Sequence, residues 1–413
     1  MNSWTSTWAV LIIIFVGGLI VGKLSEKPRI PDVAAYLVYG IIIGPTLLNW
    51  VSEPSQSQVN QFLLNLGATL ILFDGGRGVE LSVLRKVWFS VTMLATIGVF
   101  VSALVVGVTV HFVLGTTWMF SFLVGSVIAS TDPATLIPVF KRVAVLPKLR
   151  QTVETESAFN DATGAVLTFT LLAAASAVGK HINWSNSVLQ FVQSAGIGLI
   201  VGIVFGILAL FLISRHAWGI FHEYGSFVML ITAITSYQVS TMLHASGFMA
   251  AFTAGIISGN GESFKWKLAS HTAENIHHFG SAITLIMRMT IFVLLGTQVN
   301  FGLVSKYVWA GLLIIVVFMF IARPLTVCSS VLFDRQAAWR INEIGFMCWV
   351  RETGVIPAAL SGMLVAQKFP GADIISAITF MAILLTIVVQ ASTTDVVAKL
   401  CNVITDANLQ EQI

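Results

Sequence analysis

From Glu154 to Asp161 the sequence reads Glu-Thr-Glu-Ser-Ala-Phe-Asn-Asp, inside an otherwise apolar run. Three carboxylates, one amide and two hydroxyls stand where a bilayer-spanning segment should carry none. An ionisable group at membrane depth costs several kcal/mol unless paired or hydrated, and such groups mark ion or proton paths.

Helical spacing sorts these groups. Ser157 and Asp161, four apart, fall within about 40° of each other, and so do Glu156 and Asn160. Glu156 and Asp161 diverge by roughly 140° and should serve different partners. Asp161 and Ser157 form a ligand face, and Glu156 needs a countercharge elsewhere. Glu154 shares the Asp161 face two turns away. It either lines the approach or is an acid at a solvated helix end.

A second acid lies nearby in sequence, in Ser130-Thr-Asp-Pro133. A hard monovalent cation wants oxygens, which Asp132, Asp161, Ser157 and Thr131 would supply. Two carboxylates at one site raise each other's proton affinity, so protons and cation compete. A site that crosses the membrane either protonated or cation-loaded couples the two fluxes. The alternative is that Asp132 only caps a half-helix.

These residues must be held by membrane-spanning helices. The chain has 413 residues, 56% of them hydrophobic and 10% charged, with mean hydropathy +0.88. That composition cannot cover a water-soluble surface of this size. Thirteen spans are predicted, at about 8–24, 33–50, 58–76, 87–113, 118–140, 150–177, 187–213, 225–243, 246–260, 276–298, 307–333, 343–367 and 373–400. With the N-terminus outside and the C-terminus cytoplasmic, 16 of the 22 Lys and Arg fall in inside loops and tail, 3 in outside loops and 3 within spans. That bias supports the orientation. Arg288, Arg323 and Arg351 are the three within spans. Cys328, Cys348 and Cys401 lack pairing or metal spacing and read as small apolar side chains.

The fifth span contains Ser130-Thr-Asp-Pro133 and the twelfth Arg351-Glu-Thr-Gly-Val-Ile-Pro357. Proline breaks the helical ladder at both places, freeing half-helix ends at mid-membrane depth. Equivalent breaks in two halves imply an inverted repeat, 1–180 and 225–405 joined by a linker helix at 187–213, in one transmembrane domain spanning 1–413. The fold class is therefore all-α integral membrane, with two broken helices crossing at mid-membrane. There is no Gly-rich phosphate-cradling loop and only about a dozen residues follow Cys401. Coupling energy is expected from an ion gradient, with no cofactor, nucleotide or nucleic acid.

Thr131-Asp-Pro-Ala134 followed by Glu156-Ser-x-Phe-Asn-Asp161 resembles the cation:proton antiporter-1 family, most closely its prokaryotic NhaP-type sodium/proton antiporters. Leu72-Phe-Asp-Gly-Gly76, Ala322-Arg-Pro324 and the Arg351 segment extend the resemblance over nearly the whole chain. It implies that Asp161 is the principal cation- and proton-binding carboxylate, completed by Asp132, Ser157 and Thr131, and that Glu156 pairs with Arg351. It implies a homodimer with a scaffold and a mobile six-helix core moving as an elevator, and the short, tail-less chain suggests a bacterial plasma membrane. Asn160, where a related branch has Asp, is associated with electroneutral exchange. Three positions depart from the pattern. Glu352 stands where the family has Gly after the arginine, and would compete for Arg351 or turn toward solvent or a helix end. Asp74 stands where a Glu is common, reaching the cation through water. Arg288 replaces an acid or neutral residue, and would either pair with Asp74 or snorkel or bond carbonyls at a domain interface. Arg323, always protonated, is expected to offset Asp161.

The function predicted is monovalent cation/proton antiport, Na+ or Li+ first and K+ as the rival. A sodium-coupled symporter would need an amide- and aromatic-lined pocket, a channel repeated rings of like groups, and an intramembrane protease a histidine at the depth of Ser157.

Overall fold

The structure, a computed structural model, describes residues 7–25, 31–51, 57–132, 140, 144–176, 184–214, 219–266 and 268–404. Pro133 and Ala134 lie outside the described residues, as do the loop charges Lys27, Arg29, Lys141, Arg142, Lys180, Arg215 and Lys267.

Apolar runs become helices because a backbone in hydrocarbon must bond to itself. They are α1 (Trp8–Ser25), α2 (Asp32–Ile43), α3 (Gln58–Arg77), α4 (Leu84–Leu114), α5 (Trp118–Ile128) and α6 (Pro147–Ser176). Then come α7 (Trp184–Ile213), α8 (Gly225–Met242), α9 (Gly247–Gly259), α10 (Ser270–Thr297) and α11 (Phe301–Val331). A broken span comes next, α12 (Ile341–Trp349) and α13 (Val355–Ala366), and then α14 (Ala372–Leu400). Each predicted span has its helix, and seven of the described helices are long and apolar enough to cross a bilayer unaided. The two short spans at 225–260 meet, as expected, just before Gly247.

Polar caps fix several boundaries. Ser57 accepts the Asn60 N–H at 3.0 Å, Ser246 that of Met249 at 3.1 Å, and Asn300 that of Leu303 at 3.1 Å. Gly115 ends α4 with φ 63°, a left-handed turn that a side chain resists.

Two groups of helices emerge from the packing. In one, α4, α5, α6, α11, α13 and α14 contact each other; in the other, α2, α3, α8, α9 and α10 do, with α1 on α2 and α7 on α8 and α9. The groups meet where α13 packs on α3 and α10, and α6 on α7 and α9. Backbones touch in the second group: a Cβ at Gly255 would collide with the Phe73 carbonyl, and one at Gly76 with the Phe252 carbonyl.

Among the described residues, π-helical turns interrupt three spans, at Ile13–Gly17, Phe318–Ala322 and Thr386–Ala391. Such turns insert an extra residue and rotate the helix beyond them. The second places Arg323 immediately after it, and the third carries Thr386 and Gln390 beside the broken twelfth span.

Candidate ion-binding site

At the break of the fifth span, α5 ends at Ile128 and Ser130–Asp132 leave the helix. At the break of the twelfth, residues 350–354 are non-helical between α12 and α13. The segments cross and bond, the Asp132 N–H donating to the Glu352 carbonyl at 2.9 Å. The Asp132 carboxylate then accepts the Val355 N–H at 3.2 Å. Asp132 does cap a half-helix, but it is α13 of the other broken span. An anion there meets the positive end of the α13 dipole. Gly354 makes the approach possible, since a Cβ would overlap the Asp132 side chain.

Arg351 completes the crossing from the opposite direction. Buried at 2% exposure, it donates to the Ala129 carbonyl at the end of α5 and to the Ser102 hydroxyl at 2.8 Å. Its guanidinium lies 4.2 Å from the Phe318 ring centroid. Each break thus supplies the charge that satisfies the other span's half-helix end.

Glu156 does not pair with Arg351, as the resemblance implied. Its carboxylate is held by both Arg323 Nη atoms, Nη2 reaching Oε2 at 3.0 Å. Arg323 also donates to the carbonyls of Met347 (2.9 Å) and Val350 (3.1 Å), at the end of α12. The π-turn at 318–322 turns Arg323 into this position, where a negative helix end and a carboxylate await it. The expectation that Arg323 offsets Asp161 is corrected accordingly. Glu352 is 1% exposed, so it does not turn toward solvent.

The unwound fifth span is pinned to α6 through neutral oxygens. Asn160 donates from Nδ2 to Thr131 Oγ1 at 2.8 Å and accepts the Thr131 N–H at 3.0 Å. Thr131 Oγ1 and Ser157 Oγ share a bond of 2.8 Å. Asn160 therefore turns to Thr131 and not, as its spacing allowed, toward Glu156. Asp161 is buried, and its Oδ1 has no hydrogen-bond partner among the described residues. Asp132 acts on it electrostatically, and so does the Ser130 hydroxyl, which no spacing rule singles out in the sequence. Asp132, Asp161, Ser157 and Thr131 thus come together as a hard-oxygen set, while Glu156 and Asp161 serve different partners.

The remaining charges lie elsewhere. Asp74 accepts from Thr284 at 2.9 Å and sits 3.6 Å from Arg77, facing α10 at Gly280. Arg288 stands 3.6 Å from Asp32 and not beside Asp74. The expected pairing of Asp74 with Arg288 is corrected: Thr284 and Arg77 stand by Asp74, and Asp32 by Arg288. Glu154 bonds Arg150 at 2.8 Å, a partly exposed i,i+4 pair, which makes it a helix-end acid.

A cavity of about 700 Å³ opens between α6, α7, α8 and α9, lined by Thr170, Gln190, Gln193, Tyr237 and His244 among others. Of the α6 residues that line it, Val166 is nearest Asp161 in sequence, five positions past it. Phe159 packs edge-on against Phe252 at 4.9 Å and Phe169 stacks on Phe248 at 5.8 Å, between the site and α9.

Residues 10–400 match the family described as the transmembrane sodium/hydrogen exchanger. Na+/H+ antiporter 1 of Methanocaldococcus jannaschii is 30% identical, over 91% of each chain. K+/H+ antiporter NhaP2 of Shewanella oneidensis is 25% identical over 98% of this chain and 68% of its own. The structure resembles that of the sodium proton antiporter MjNhaP1 from Methanocaldococcus jannaschii at pH 8, with TM-score 0.84 and 29% identity, covering 94% of this chain and 97% of the other.

Proposed function

The chain belongs to the sodium/hydrogen exchanger family, and from its monovalent cation/proton antiport we propose electroneutral exchange of Na+ or Li+ for H+ at Asp161. The observation that carries this is the Asp161 carboxylate: it is buried, it has an unpartnered oxygen, and it stands among Asp132, Thr131 and Ser157. In this reading a cation takes oxygens from those four residues, and a proton on Asp161 takes its place on the return. Asn160 carries no charge and no proton, so one site charge is exchanged for another.

Two further features support alternating access. The helices divide into a group of six around the crossing and a group around α3 and α9, which we take as mobile core and scaffold related by an inverted repeat. The 700 Å³ cavity approaches Asp161 from the end of α6 that the charge bias places outside. We take this conformation as outward-open, in a plasma-membrane homodimer with N-terminus out and C-terminus in. The name of the Shewanella relative makes K+ the second reading.

Purified protein in liposomes with an imposed pH gradient and a trapped pH dye tests the proposal. Na+, Li+ and K+ are added in turn. Proton movement with Na+ and Li+, absent in Asp161→Asn, is expected. Movement with K+ alone would replace the ion, and movement with none would overturn exchange.

A further inference from the structure

We infer that the Ser130 hydroxyl is a further oxygen of the cation site, facing Asp161 between α5 and α6, and that it sets how tightly the site holds its cation. The inference rests on Asp161 being the exchange carboxylate.

Ser130 stands where α5 has unwound, two residues before Asp132, and is 0% exposed. Its side chain packs on α6 at Gly164, where an added Cβ would lie 3.3 Å from Ser130 Cβ and 3.7 Å from its Oγ. Gly164 is three residues beyond Asp161, one turn along the same face. Ser130 therefore packs on α6 one turn beyond Asp161.

Buried hydroxyls are normally hydrogen-bonded, and on the same α5–α6 seam the others are. Ser126 donates to the Leu123 carbonyl at 2.9 Å, and Thr168 donates to Ser126 at 3.1 Å. Ser130 Oγ has no such partner among the described residues, nor does Asp161 Oδ1, the carboxylate on which it acts. A buried hydroxyl whose interaction is with a buried carboxylate, and which has no other partner among the described residues, adds an oxygen to that site.

A hydroxyl suits both loads of an exchanger. Toward an ionised carboxylate it donates its proton; beside a cation it rotates and offers a lone pair. Alanine does neither, at almost the same volume. Loss of one such oxygen from a charged site corresponds to about tenfold in affinity.

Ser130→Ala is compared with Ser330→Ala, another buried hydroxyl without a partner among the described residues, on α11. Half-saturating Na+ is read twice, from exchange in proteoliposomes and from Na+-dependent thermal stabilisation in detergent, which needs no transport. Ser130→Ala should raise it about tenfold in both, with maximal rate retained, while Ser330→Ala leaves it unchanged. Wild-type half-saturation in Ser130→Ala overturns the inference, and so does a loss of maximal rate alone, which marks a structural role. If that occurs while Asp161→Asn is dead, only the role of Ser130 fails. If Asp161→Asn still exchanges, both readings fall.

Discussion

Arg323 holds both oxygens of Glu156 inside the helix bundle, with each residue 1% exposed. The pair joins α11 to α6, and the two bonds from Arg323 to the end of α12 make it a three-helix clamp beside the crossing. Removing one partner of a buried pair strands the other's charge and costs about 3–5 kcal/mol. A double-mutant cycle on thermal stability should therefore show coupling between Glu156→Gln and Arg323→Met well above the additivity limit of about 0.5 kcal/mol. The same cycle for Glu156→Gln with Arg351→Met should show much less. Equal coupling in both cycles would contradict the observed partnership.

Gly354 allows the Asp132 side chain to lie against the second break. Gly354→Ala forces Asp132 away from the Val355 N–H and out of the oxygen set. Exchange should fall by more than about tenfold, the equivalent of one charge-assisted hydrogen bond. Wild-type exchange in the variant would mean that Asp132 need not stay where it is.

How much of this was legible in the sequence differs by residue. Span positions came from apolar length, and both breaks from their prolines and polar residues. Ser157 and Asp161 shared a face as their spacing required. The arginine partners were not legible, because the π-turn at 318–322 rotates Arg323 and no residue pattern announced that turn. Asp74 and Arg288 each found a nearer partner, Thr284 and Asp32, on helices far apart in sequence. Ser130 was visible as a polar residue at the break, but its lack of a partner is a property of the packed structure.

Those nearer partners give a test. The charge-reversed Asp74→Arg/Arg288→Asp double should transport no better than the worse single reversal. Asp32→Arg/Arg288→Asp should recover part of what either of its singles loses. Rescue in the first pair and not the second would contradict the contacts at Asp32 and Thr284.

Asp334, between α11 and α12, ties that connection to α4. Burial pushes its carboxyl up, but bonds from the Ser90 hydroxyl and the Ala337, Ser90 and Gln336 N–H groups outweigh this and hold it below the ordinary aspartate range. A depressed folded value means stabilisation that is complete above the unfolded value, about 3.9, and lost as pH falls through the folded one. Asp334→Asn should lower thermal stability at neutral pH, and the difference from wild type should shrink only below about pH 4. A difference unchanged in strong acid would assign the loss to packing.

Competition between cation and proton for one carboxylate, Asp161, is measured most directly by the half-saturating Na+ concentration for exchange in proteoliposomes across a series of pH values. Competition predicts that it rises about tenfold per unit of acidification below the site's own proton affinity, with maximal rate unchanged, because each ion displaces the other by mass action. A half-saturating concentration that stays constant while the maximal rate falls with pH would contradict it, placing the proton on a group other than the one that binds the cation.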